Sequence, residues 1–219
     1  AELGVEGAFL LVRTPEGEFT TAIGTTERGE TIEPTADTVF RIGSNTKTMT
    51  GTVILQLVDE GLIRLDDPVS KYRSDVPNGD QITIAMLLSM RSGLFNYTND
   101  DAMAEAMIAD LDRVWQPEEL LEVSFRNAPL FAPGSEYSYS NTNTVLLALI
   151  AEQVTGESYE SLIDDRLIEP LGLVHTIVPE ADDAGLEAPY SHGYTFFEES
   201  EQPPALADAQ DVTFMNPSW

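Results

Sequence analysis

Two apolar runs flank a short Pro/Gly turn near the start of the chain. GAFLLVR (Gly7 to Arg13), TPEGE and FTTAIGT together predict a β-hairpin. From Asn45 the period changes. Met49, Val53, Ile54, Leu57 and Val58 fall on one face of a helix, and Gly61 follows as its stop. Ile82 to Ser89 reads as a short helix ended by Arg91-Ser92-Gly93. Asp100 to Trp115 reads as an acidic amphipathic helix, and Pro117-Glu118-Glu119 opens the next one. Asn143 to Val154 predicts an apolar helix closed by Gly156, and Ser158 to Ile168 a further helix stopped at Pro170. The remainder, rich in Pro, Gly and acid, predicts loops with one short strand around His192 to Phe197.

Strands come first, then a long helical middle, then a return towards strands. This order predicts an α+β protein: residues 1–43 as the first strands of an α/β body, 44–188 as a mainly helical region, and 189–219 as a return segment towards the body. A chain of 219 residues with 42% hydrophobic content can bury a sizeable core. No apolar run approaches the roughly 18 residues of a membrane span. No signal peptide is legible at the start, as expected of the mature form of an exported protein. Cysteine is absent, which excludes disulfides and thiolate metal sites.

Charge alters the picture further. Eleven basic residues face 38 acidic ones, for a net charge of −27, and Lys47 and Lys71 are the two lysines. Such a surface repels nucleic acid and anionic membranes. The acids are spread along the chain, as in a solvated coat rather than an interaction tail. Scarce lysine with excess carboxylate also fits a salt-adapted organism, because screening relieves self-repulsion. Thermal stability is therefore expected to rise from low to molar salt, and a melting curve indifferent to low salt would sink that reading.

The stretch FRIGSNTKTMT holds the first candidate chemistry. Ser44 and Lys47 are three residues apart, so on a helix they share a face. The positive end of the helix stabilises a developing alkoxide and an oxyanion beside the Ser44 N–H. A lysine removed from water could take the serine proton, activating the nucleophile without histidine. On spacing alone, an N-cap serine with a surface lysine is the favoured reading. Far downstream, FAPGSEYSYSNTNTVLLALIAEQVTG sets Tyr139-Ser140-Asn141 just before an apolar helix. Tyrosine beside lysine can serve as a general base, and an asparagine amide can hold a substrate carbonyl. A buried tyrosine with an Asn cap is the bland alternative.

With both motifs in view, the chain resembles the class C β-lactamase-type serine hydrolases, and most closely the secreted actinomycete D-alanyl-D-alanine carboxypeptidases. Three blocks carry the resemblance in type and order: FRIGSNTKTMTGTVILQLVDEGLIRLDDPVSKY, LLSMRSGLFNYTND and FAPGSEYSYSNTNTVLLALIAEQVTG. It implies a β-lactamase/DD-peptidase-like α+β fold, with an antiparallel sheet flanked by helices and a mostly helical subdomain. It implies that Ser44 is the acylated nucleophile, that Lys47 and Tyr139 handle its proton, and that Asn141 binds the acyl-side amide. Phe95 and Thr98 match positions bordering the substrate pocket, and Trp219 matches a cleft-lining tryptophan. The expected partner is a peptidoglycan stem peptide or a β-lactam, the expected location secreted or periplasmic, and no metal or cofactor is implied. Class C β-lactamase and small-ester hydrolase share the same motifs.

One element of the family pattern is absent. The family carries a third motif, His or Lys followed by Thr/Ser and Gly, on a strand that supplies an oxyanion N–H. His175-Thr176-Ile177 lacks the glycine, and His192-Gly193 lacks the hydroxyl residue; both histidines read as loop residues. The last strands and terminal helix of the family pattern are also missing. The expectation is a completing segment, on the same chain or on a second polypeptide. A non-catalytic penicillin-fold binding module is the rival from another class. The joint presence of Ser44, Lys47, Tyr139 and Asn141 argues against it.

Overall fold

The computed structural model describes residues 6–195 and 209–216. Trp219 and the end of the strand expected at 192–197 lie outside the described residues. The chain divides into two units, residues 1–42 with 184–215 and residues 43–183 with 216–219.

In the first unit the two apolar runs form the expected hairpin. β1 (Gly7–Thr14) pairs antiparallel with β2 (Gly17–Gly24), joined by a two-residue turn at Pro15 and Glu16. Register sets the faces. Ala8↔Ile23, Leu10↔Thr21 and Val12↔Phe19 pair across one side, while Phe9↔Ala22 and Leu11↔Thr20 pair across the other. Side chains alternate between faces along a strand, so both faces of this hairpin are predominantly apolar. Leu10, Val12, Phe19 and Ile23 are exposed on one, and Phe9 and Leu11 on the other. A second small sheet pairs β3 (Tyr194–Thr195) with β4 (Gln210–Asp211). His192 Nδ1 meets Asp211 Oδ2 at 2.8 Å, so this histidine serves to hold the small sheet to its flanking loop.

The second unit is helical. α1 (Thr46–Asp59) buries Val53, Ile54 and Leu57, as its period predicts. α5 (Asn141–Thr155) packs beside it with Leu146, Leu147, Ile150 and Ala151. α2 (Ile84–Leu88) and α6 (Tyr159–Ile163) add Ile84, Leu87, Leu162 and Ile163 to the same core. Full burial of each such side chain contributes about 1.5–3 kcal/mol. A smaller core gathers Tyr97, Met103, Trp115, Leu120 and Val123 between α3 (Asp101–Ala109) and α4 (Pro117–Phe125). No helix among the described residues is long and apolar enough to cross a membrane.

Two helices depart from the expected pattern. The acidic helix ends at Ala109 rather than Trp115: Asp110 is extended, and its side chain accepts the Asp112 N–H, a local bond that competes with the helix. Trp115 is then free to turn into the smaller core, where the Arg113 guanidinium lies 3.5 Å over its ring. The 158–168 helix does not stop at Pro170. It widens through a π turn (Asp164–Ile168) and continues as α7 (Glu169–Leu171). Proline cannot return a hydrogen bond to the Arg166 carbonyl four residues back. Gln56 Nε2 donates to that carbonyl instead, at 3.4 Å.

Candidate active site

All described members of the site lie in the helical unit. Gly43 adopts φ +50, a left-handed conformation that side chains rarely tolerate, and a 3-10 turn (Gly43–Asn45) follows it into α1. This sharp entry leaves Ser44 exposed at the amino-terminal end of the helix, not facing the core. Asn45 makes no side-chain cap for α1. The cap reading for Ser44 is replaced by contacts of a different kind.

Tyr139 OH lies 2.6 Å from Ser44 Oγ, and Lys47 Nζ donates to the same oxygen at 3.1 Å. Ser44 and Tyr139 are 95 residues apart in sequence, and nothing in the spacing could place them together. Lys47 Nζ also stands 5.0 Å from the centre of the Tyr139 ring. Lys47 is half-buried, so it keeps part of its contact with water. Burial pushes the Tyr139 phenol up, but the hydrogen bonds with Lys47 and Ser44 and the lysine charge outweigh it. The phenol is held below its ordinary value of 10.0. The trio is a hydroxyl flanked by one proton acceptor and one cation.

The wall beside the trio is built from the SGLFNYT loop and the start of α5. Gly93 has φ +78, and a Cβ there would meet the Phe131 carbonyl oxygen at 2.3 Å, so the loop passes too close for any other residue. Asn143 is fully buried and accepts the Ser92 hydroxyl at 2.6 Å. The Phe95 carbonyl accepts from Ser124 Oγ at 2.6 Å and Thr142 Oγ1 at 2.8 Å. Asn141 sits at the first turn of α5; its backbone N–H donates to Asn96 Oδ1 at 3.0 Å, and its Nδ2 donates to Thr98 Oγ1 at 3.3 Å. Ser140, at the N-cap position, makes no side-chain cap bond, and its buried Oγ has no hydrogen-bond partner among the described residues.

Of the residues singled out from sequence, Ser44, Lys47 and Tyr139 are joined by direct hydrogen bonds. Asn141 and Thr98 are joined to each other, and Phe95 is anchored by its carbonyl to α4 and α5. Sequence reasoning missed Asn96, Ser92 and Asn143. The polar run SNTNT at a helix start that is otherwise apolar was the one available signal, since buried amides need partners.

Comparison with known proteins identifies the relatives of the chain. The sequence model of the Beta-lactamase family matches residues 1–213. Among curated proteins, the D-alanyl-D-alanine-carboxypeptidase/endopeptidase AmpH of Escherichia coli (strain K12) is 31% identical over 186 residues, covering 82% of this chain and 47% of AmpH. Among solved structures, a D-stereospecific amidohydrolase from Streptomyces sp. superposes with a TM-score of 0.86 at 36% identity, covering 98% of this chain and 62% of that one. The D-amino acid amidase of Ochrobactrum anthropi SV3 gives 0.80 at 28% identity, covering 99% of this chain and 58% of its own. The chain thus spans between 34% and 47% of the length of the first curated relatives it matches. It has their α+β fold and belongs to the beta-lactamase family.

Proposed function

We propose that the protein is a serine acyl-transfer hydrolase of the D-alanyl-D-alanine carboxypeptidase type, working through an acyl-enzyme on Ser44. The observation that carries this reading is the pair of short contacts to Ser44 Oγ, 2.6 Å from Tyr139 OH and 3.1 Å from Lys47 Nζ. Ser44 Oγ attacks the substrate carbonyl carbon as its proton passes to the Tyr139 oxygen. The Lys47 ammonium stabilises the phenolate before transfer. The C–N bond then breaks, and the departing nitrogen takes the proton from Tyr139. Water attacks the resulting ester by the same route in reverse order, freeing the acid and restoring Ser44. The Ser44 backbone N–H, at the positive end of α1, is suited to one oxyanion contact. Asn141 would hold the acyl-side amide.

The partner in this reading is a peptidoglycan stem peptide, with penicillin as an acylating analogue. Such a substrate lies outside the cytoplasmic membrane, so the reading carries with it an exported protein. The two open apolar faces of the β1–β2 hairpin support a further segment that covers them, on the same or a second polypeptide, and that brings the third family motif. A second reading, hydrolysis of D-amino acid amides, is favoured by the likeness to the D-amino acid amidase of Ochrobactrum anthropi SV3 at 28% identity and to the Streptomyces D-stereospecific amidohydrolase at 36%.

One set of assays on the full-length protein separates these outcomes. Labelled penicillin is expected to form a slowly released adduct on Ser44, seen by intact mass and peptide mapping, with release of D-alanine from a D-Ala-D-Ala peptide. Preference for D-phenylalanine amide supports the amidase reading. Rapid turnover of penicillin supports a β-lactamase, and hydrolysis of p-nitrophenyl esters without an adduct supports an esterase. No adduct at high protein concentration, with no turnover of any substrate, overturns the enzyme reading in favour of a binding module.

A further inference from the structure

Asn96 is buried, at 5% exposure, and bonds both to Asn141 of α5 and to Thr98 of its own loop. Its orientation admits no ambiguity. The Asn141 backbone N–H can only donate, so the Asn96 atom that meets it at 3.0 Å must be the carbonyl oxygen. The amide nitrogen of Asn96 therefore faces Thr98 Oγ1 at 2.7 Å and Asn99 Oδ1 at 3.3 Å. Thr98 Oγ1 accepts a second amide hydrogen from Asn141 Nδ2 at 3.3 Å. A hydroxyl oxygen has two lone pairs, and both are then in use. Thr98 has no acceptor capacity left for a ligand.

The same contacts define what Asn141 has to offer. One Nδ2 hydrogen is spent on Thr98, while Oδ1 makes no hydrogen bond among the described residues. An acceptor and one donor remain side by side, the complement of the C=O and N–H of a secondary amide. Asn96 also satisfies the Asn141 N–H, one of the unpartnered donors at the first turn of α5, so it fixes the start of the helix directly and the neighbouring carboxamide through Thr98.

We propose that Asn96 and Thr98 are positioning residues that lock the Asn141 carboxamide with Oδ1 and one Nδ2 hydrogen free, and so set a preference for acyl groups bearing an amide over simple esters. This inference rests on the acyl-transfer reading above for its substrate. The sequence resemblance assigns Thr98 to the pocket border; here its hydroxyl acts through Asn141.

Thr98→Val in the full-length protein is the cleanest test, because it removes the hydroxyl and leaves the Asn96–Asn141 cap in place. The expected result is a loss of about 10- to 100-fold in kcat/KM on an N-acylated D-Ala-D-Ala peptide. Hydrolysis of p-nitrophenyl acetate, which has no acyl-side amide, should stay unchanged, while the Tm should fall by a few degrees because the buried Asn96 amide loses its 2.7 Å acceptor. In an Asn141→Ala background, Thr98→Val should add nothing. Asn96→Asp, which still accepts the helix N–H and can accept the Thr98 proton, should retain activity, while Asn96→Leu should lose it. Equal losses on both substrates, no loss on either, or full additivity with Asn141→Ala would overturn the proposal. If the wild type turns over no substrate, the functional reading fails and positioning is read separately by NMR. Slow exchange of the Asn141 side-chain amide hydrogens, lost in Thr98→Val, supports it, and fast exchange in the wild type overturns it.

Discussion

Ser44→Ala is expected to abolish the covalent penicillin adduct and to lower turnover by on the order of 10⁴- to 10⁶-fold. The reasons are local. Ser44 is exposed, and among the described residues its side chain bonds to Tyr139 and Lys47, so truncation removes the hydroxyl without opening a cavity. The fold should be untouched, and the melting temperature should move by no more than a degree or two. Reversible binding of a substrate analogue should survive, since Asn141 and the loop that supports it contribute nothing through Ser44. The check is intact mass after incubation with labelled penicillin, alongside calorimetry of the same sample. An adduct of unchanged yield on the variant would transfer the nucleophile's role to another residue. A large fall in Tm would mean that Ser44 is a structural cap after all.

Much of this site was legible in the sequence, but unevenly. The helical face of Val53, Ile54 and Leu57 follows from period alone, and the hairpin from two apolar runs around a turn. These features depend on neighbours close in the chain. The meeting of Ser44 with Tyr139 depends on how α1 packs against α5, through side chains such as Ile54 and Leu146 buried in one core. No local rule encodes that packing, and only the resemblance of whole blocks to a family supplied it. The breaks in the helices were missed for a third reason. Asp110 ends α3 with a side chain that accepts the Asp112 N–H, and Pro170 is tolerated because Gln56, 114 positions away, serves the carbonyl that proline neglects. Propensity read Pro170 as a stop; a tertiary contact overrode it. Asn96 was missed because the bond that ties its loop to α5 goes to Asn141, 45 residues distant.

Replacing Tyr139 with phenylalanine tests the proton pathway, and its expected cost is about 10²- to 10⁴-fold in the acylation rate. The ring is 42% exposed and makes its polar contact through the hydroxyl, so phenylalanine keeps the shape and removes only the group that meets Ser44. The pH profile carries the sharper information. Burial alone would raise the phenol, yet Lys47 and Ser44 together hold it below 10.0. A base must be deprotonated to act, so the wild-type acylation rate should rise with pH and level off at a pKa below that of free tyrosine. In Tyr139→Phe this rising limb should vanish, leaving a rate that is low and flat over the same range. Lys47→Ala should keep the limb but move it to higher pH, because the cation that stabilises the phenolate is gone. The measurement is the second-order rate of penicillin acylation from pH 6 to 10 for the three proteins. A rising limb that persists unchanged in Tyr139→Phe would mean that another group accepts the Ser44 proton. A limb that disappears in Lys47→Ala while surviving in Tyr139→Phe would make the lysine the base and the tyrosine its support. The 2.6 Å contact, shorter than the 3.1 Å approach of Lys47, is why the opposite result is expected.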